Sequence, residues 1–214
     1  MARVKTHGKP NRRNEILQAA KKLMRSRGLA GVTTRQISKE VGCSEGALYV
    51  HFNGRLELLL AMLEENLPDM LGPLQTLRES VGRGSPQTNL QAALQGIFNF
   101  HRGIVSETGS LFAERELLLA YRRSLARQRK GPHLSMGVLA EYIRAEQKLG
   151  RIDSSVDAQM AAYLLMSSSF FRAFMEQFFG EPIQPSWDRF APKVVAAVVP
   201  QAAKQDTEGA EKNV

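Results

Sequence analysis

Apolar residues recur along most of this chain at spacings of three and four, the period of an α-helix packed on one side. From Arg12 to Arg27 the positions Ile16, Leu17, Ala20, Leu23 and Met24 share a face, and Gly28 closes the run. Leu29 and Val32 follow as plugs for the same core. Thr33 and Gln36 then form a Thr-x-x-Gln capping box that opens a short helix with Ile37 and Val41 inward. Gly42 ends it, since glycine tolerates the left-handed backbone of a sharp helix terminus. Ser44 caps a further helix whose buried face carries Ala47, Leu48 and Phe52. A fourth run starts at Arg55 and takes Leu56, Leu59, Leu60 and Leu63 toward Asn66. Pro68 predicts a kink there, with Met70, Leu71 and Leu74 continuing the helix beyond it.

The Gly-, Ser- and Pro-containing stretch 80–88 reads as a loop. A fifth helix follows, with Leu90, Leu94, Ile97, Phe98, His101, Ile104 and Val105 on its apolar stripe. Segment 110–129 repeats the pattern through Leu111, Phe112, Leu117, Leu118 and Tyr121. Its basic end, Arg122, Arg123, Arg127, Arg129 and Lys130, suits a solvated helix C-terminus, where cations meet the negative end of the dipole. After Gly131 and Pro132 a helix carries Leu134, Val138, Leu139, Tyr142, Ile143 and Leu149 and stops at Gly150. From Val156 to Phe179 the apolar band is too wide for one buried side, and Trp187, Phe190, Val194, Val195 and Val198 extend it. Such a pair needs a second surface, either a dimer interface or a purely internal core. No strand pattern and no internal repeat interrupts the series, so the predicted fold is all-α.

Two short helices joined by the turn Gly42-Cys43-Ser44 have the layout of a helix-turn-helix, whose second helix enters the DNA major groove. Here Thr33-Thr34-Arg35-Gln36-Ile37, Val41-Gly42-Cys43-Ser44 and Gly46-Ala47-Leu48-Tyr49-Val50-His51-Phe52 resemble the TetR family of transcriptional regulators, specifically over residues 12–65. The resemblance implies that Thr34 and Arg35 approach phosphate and a base, while Ser44, Glu45, Gly46 and Ala47 open the recognition helix. It also implies that Tyr49 and His51 reach phosphate or a thymine methyl, and that Arg55 holds the DNA backbone. Burial in the motif's own core is the other reading of Tyr49 and His51. Two departures stand out: Val50 offers no phosphate contact, and Gly54 replaces a polar cap. The implied organisation is a basic arm at 1–11, a three-helix DNA-binding domain at 12–55, a helical ligand-binding and dimerisation domain at 56–199, and a disordered tail at 200–214.

Charge sharpens this picture. The 214 residues carry a net +8, yet residues 1–55 hold 12 basic and three acidic side chains while the remainder hold 17 and 18. Excess positive charge confined to the helix-turn-helix end is the footprint of a phosphate-binding surface. Cys43 is the lone cysteine, which excludes an intrachain disulfide and, with no membrane-length apolar run and no signal core, points to the cytoplasm. No nucleophile elbow, phosphate-binding loop or metal-ligand spacing is present, so neither enzyme, cofactor nor metal is expected. His101 is either a core histidine or a polar group orienting a ligand in an apolar cavity, with Phe98, Phe112, Tyr121, Tyr142, Met166 and Phe170 as further lining candidates. The expected protein is a homodimeric repressor, released from a palindromic double-stranded operator by a small apolar or amphipathic effector. A constitutive regulator or activator is the alternative. A helical enzyme or carrier without DNA binding is a third reading, and the basic head argues against it.

Overall fold

A computed structural model describes residues 12–65 and 71–200 of the chain. The arm expected at 1–11, the tail expected at 200–214 beyond its first residue, and the kink expected at Pro68 lie outside the described residues. Those residues form ten α-helices and no strand: α1 Arg12–Arg27, α2 Thr34–Val41, α3 Glu45–Tyr49, α4 Arg55–Glu64, α5 Leu71–Glu79, α6 Pro86–Ala113, α7 Arg115–Gln128, α8 Pro132–Lys148, α9 Ala158–Phe179 and α10 Trp187–Val198. None is long and apolar enough to cross a membrane.

The chain divides into two compact units, and the division differs from the expected one at residue 55. The first holds the described residues 12–65 together with 103–130. Its core joins Ile16, Leu17 and Leu23 of α1 to Ile37, Leu48 and Phe52, and then to Leu58, Leu59 and Met62 of α4. Leu111 and Leu117 complete it. Helix α4 therefore belongs to the head by packing, because its apolar face is buried against α1 and α7. Lys21 and Glu65 pair at 3.0 Å across α1 and the end of α4, and Ser124 of α7 bonds Glu64.

The second unit comprises α5, residues 86–102 of α6, and α8 to α10. Its core gathers Leu77, Leu90, Leu94 and Ile97 around Leu139, Tyr142 and Ile143 of α8 and Leu165 of α9. Ala158, Ala161 and Ala162 give α9 a small-residue surface that lets it pack along α8. Asp157 caps α9, accepting from Gln159 N at 2.9 Å and Met160 N at 3.1 Å. The expected loop 80–88 is shorter than its composition suggested, because Pro86 opens α6, a position where a missing N–H costs nothing. That loop is held by the buried carboxylate of Glu146, which accepts from Gly82 N at 3.0 Å and pairs with Arg151 at 3.0 Å. A buried charge is tolerable only when paired in this way.

Candidate nucleic-acid interface

Helix α2 starts where the capping box places it. Thr33 Oγ1 accepts from Gln36 N at 3.2 Å, and Gln36 Oε1 accepts from Thr33 N at 3.3 Å. An N-cap of this kind is worth about 1 kcal/mol. At the other end Gly42 is left-handed, with φ 71°; Gly42 N bonds Lys39 O at 3.4 Å and Cys43 N bonds Ser38 O at 2.9 Å. These two bonds close α2 as a Schellman motif and turn the chain sharply. Ser44 then caps α3, its hydroxyl accepting from Ala47 N at 3.1 Å. Both helix starts are thus fixed by side chains in the motif itself.

Helix α3 is shorter than its pattern suggested, five residues from Glu45 to Tyr49. Phe52, expected on that helix, is buried just beyond it, under the guanidinium of Arg13 at 4.9 Å from the ring centre. Leu48 is buried as expected, while Ala47 is half-buried. Outward lie Ser44, Glu45, Gly46 and Tyr49, the last 51% exposed, and Val50 beyond them. Arg35 is exposed and makes no ion pair among the described residues. His51 is half-buried. Thr34 is half-buried too, and its hydroxyl donates to Glu45 Oε2 at 2.9 Å, tying the start of α2 to the start of α3.

Arg55, expected on the DNA backbone, bonds within the protein in this structure. Its Nε donates to Val32 O at 2.8 Å and its Nη2 to Leu29 O at 2.9 Å, while Nη1 and Nη2 grip Glu114 at 2.8 and 2.7 Å. The fork is spent inside the protein. The hydrogen bond to Glu114 raises the arginine's pKa above its ordinary value and lowers that of the glutamate. Arg55 is a positioning residue for the turn that precedes α2, and Glu114 is the partner that sequence reasoning missed. A residue 59 positions away leaves no local signal in a single sequence. Gly54, the other departure, has φ 123° and ψ 179°, which a Cβ would oppose, and Glu57 Oε2 serves the cap by accepting from Asn53 N at 2.9 Å.

The seven candidate ligand residues do not gather in one place. Phe112 is 66% exposed and Tyr121 packs at the edge of the head's core. The other five lie in the second unit. Tyr142 is core, its hydroxyl accepting from Asn89 at 3.0 Å, and Met166 belongs to the same core. Phe98 stacks on Trp187 with ring centres 3.7 Å apart. His101 is 5% exposed, with Nδ1 3.0 Å from Ser169 Oγ and its ring 5.4 Å from that of Phe170. Burial lowers the His101 pKa to about 4, so the imidazole is neutral. Phe98, His101, Tyr142 and Met166 are buried, whereas Phe170 is 38% exposed. A groove of about 670 Å³ opens instead between α5 and α8, with Leu71, Leu74, Leu134 and Val138 as apolar walls. Gln75, His133, Ser135 and the Arg78–Glu141 pair, 3.2 Å apart, supply its polar groups. A smaller cleft of about 310 Å³ lies by Arg102, Glu176 and Glu181. Among the described residues no group of acidic, His and Cys side chains is placed to hold a metal.

Comparison with known proteins bears on the same segment. Residues 16–62 match the family described as bacterial regulatory proteins, tetR family. Over 60 residues the chain is 45% identical to the nucleoid occlusion factor SlmA of Aliivibrio fischeri, a match covering 28% of this chain and 31% of that protein. The chain thus spans about a third of the length of that relative. Over 168 residues it is 29% identical to SlmA of Vibrio cholerae, covering 70% of this chain and 84% of that one. Among solved structures it superposes on SmeT, the repressor of the Stenotrophomonas maltophilia multidrug efflux pump SmeDEF. The TM-score is 0.62 and the identity 21%, over 87% of this chain and 89% of that one, a likeness of fold.

Proposed function

Residues 16–62 make this a chain of the tetR family of bacterial regulatory proteins, and from that premise we propose that it is a cytoplasmic, DNA-binding transcriptional regulator, a repressor released by a small amphipathic effector. The observation that carries the reading is the doubly capped α2–turn–α3 unit. It presents Arg35, Glu45, Gly46 and Tyr49 to solvent, within the part of the chain that holds all the excess positive charge. A small, rigid, outward helix start on a basic unit suits a major groove flanked by phosphates. Gly46 keeps the helix close to the base edges, and Arg35 and Tyr49 reach to either side. Ser44 serves by capping, and Thr34 by holding Glu45.

For the effector, the groove between α5 and α8 supports a molecule with an apolar body and one polar end. Leu71, Leu74, Leu134 and Val138 give it an apolar wall, and Gln75, Arg78, His133, Ser135 and Glu141 give it a polar one, which suits an amphipathic molecule. An effector acts only by binding the DNA-free arrangement better, and DNA then weakens effector binding by the same factor. For the second copy, the exposed apolar stripe of α9 is the supporting feature.

The test is operator affinity for Arg35→Ala and Tyr49→Ala, measured on duplexes selected from genomic fragments, beside a thermal melt. Both side chains are exposed, so the melts should coincide with the native one while affinity falls by about 1–3 kcal/mol. Unchanged affinity in both variants removes this surface from DNA recognition. The same titration with a panel of amphipathic compounds decides the effector: a regulator whose DNA affinity no compound alters is the constitutive one.

A further inference from the structure

We propose that Glu45 is the base-reading residue of this interface, selecting a cytosine in each half-site, and that Thr34 positions it. The inference rests on the DNA-binding reading above and adds what that reading leaves open, the residue that sets sequence preference. It starts from the acidic groups of the head. Residues 1–55 carry three, Glu15, Glu40 and Glu45. Glu15 is neutralised by Arg12 at 2.8 Å, and Glu40 by Lys22 at 2.5 Å. Glu45 alone of the three has no cation against it among the described residues. It is exposed, at the first position of α3.

An unneutralised carboxylate on the docking face of a basic unit opposes every phosphate it approaches, so it weakens binding to all sequences alike. It strengthens binding only where it meets a hydrogen-bond donor. In the major groove cytosine presents the amino group N4 as a donor, guanine presents N7 and O6 as acceptors, and thymine presents O4 as an acceptor and a methyl. Adenine sets its N6 donor beside the N7 acceptor, which repels a carboxylate. An ionised glutamate, which only accepts, therefore fits cytosine and rejects guanine and thymine.

Geometry supports this use of the side chain. Thr34 Oγ1 donates to Glu45 Oε2 at 2.9 Å, which restrains the carboxylate and leaves Oε1 without a protein partner among the described residues. Thr34 sits at the first position of α2 and is itself set by the Thr33–Gln36 capping box. The free oxygen is thus held in a fixed place by a chain of bonds running back to a capped helix. Restraint of this kind turns a flexible glutamate into a discriminating contact, because ordering is completed before DNA arrives.

The experiment is selection from a random double-stranded oligonucleotide pool by the native protein and by E45Q, E45A and T34V, each checked by thermal melting. The native protein should enrich a two-fold sequence with one C·G pair held in each half-site. E45Q should shift that position toward adenine, since an amide both accepts and donates and matches N7 and N6. E45A should lose preference there. Either variant should bind the native consensus about 5- to 150-fold more weakly, with binding to random duplex unchanged or tighter. T34V should keep the cytosine preference with a smaller ratio over the other bases. If E45Q and E45A enrich the same bases at every position as the native protein, Glu45 reads nothing and the proposal falls while the regulator reading stands. A uniform loss of affinity with preferences intact means the Thr34–Glu45 bond only braces the two helices, and also overturns it. If the native protein enriches no sequence, both readings fall together.

Discussion

A buried histidine gives the second unit a titration that can be read in solution. His101 lies among Phe100, Phe170 and Ser169, and burial holds its pKa near 4 against an ordinary 6.5. The folded-state value is the lower one, so between pH 6.5 and 4 the unfolded chain binds the extra proton. The stability of the neutral imidazole is complete above pH 6.5 and is lost as pH falls toward 4, by up to about 3 kcal/mol. His101→Gln keeps a partner for Ser169 without the titration, so its melting temperature should fall less steeply than the native one across that window. Parallel slopes would mean that His101 is not the group responsible. From about pH 4.5 downward the contribution of the Arg55–Glu114 pair declines as well, because the hydrogen bond from Arg55 holds the folded Glu114 pKa below its ordinary 4.5. At this scale the sequence was readable where chemistry is local. Thr33, Gln36, Gly42 and Ser44 do what their types and spacing imply. Arg55 was not readable, because a guanidinium takes whichever carboxylate the fold delivers, and Glu114 is delivered from 59 positions away.

Between elements, α6 meets α5 tightly at Gly96. A Cβ on Gly96 would stand 2.6 Å from Pro73 Cβ and nearer still to its Cγ. Both atoms belong to a rigid ring at the start of α5, so the neighbour cannot yield by turning a side chain. Gly96→Ala should therefore destabilise by roughly 1–3 kcal/mol through overpacking. Gly103→Ala, further along the same helix with nothing within 4 Å, should be neutral or stabilising by up to about 1 kcal/mol through better helix propensity. Thermal melts of the two variants side by side check this, and equal shifts would refute it. Helix existence was legible from apolar spacing throughout, since a one-sided stripe is a local property. Helix ends were legible only where a cap or breaker stood. Helix α3 stops at Tyr49 because the chain must turn there to bury Phe52, and α6 gives way to α7 at Glu114 without a glycine or proline. The grouping of helices into units is not local either: α4 shares its apolar face with α1 and α7, and spacing alone does not name a helix's partner.

For the whole molecule, the unspent feature is the outer face of α9. Met160, Tyr163, Leu164, Phe171, Phe174 and Phe178 lie three, four or seven apart, so they share one side of the helix, and all are exposed. Phe174 stacks between Phe171 and Phe178 at 6.4 and 6.1 Å, forming a continuous aromatic ridge. Its opposite side already packs on α8 through Ala161, Ala162 and Leu165, so the ridge is surplus to the core of one chain. On the regulator reading proposed above, a second copy is the expected partner, because a two-fold interface presents the same apolar patch to itself and a protein that reads paired half-sites needs two heads. Phe174→Arg places a charge at the centre of that ridge, where pairing would bury it beside its own image. Light scattering should then report single chains where the native protein reports pairs, with little change in the melting of the isolated chain, since Phe174 lies outside the core. Operator affinity should fall by about 100-fold or more, because each head then binds alone without the effective concentration the partner supplies. Binding of a lone half-site should be the same for the variant and the native protein, which separates lost pairing from damaged recognition. Should the variant remain paired, α9 is not the interface.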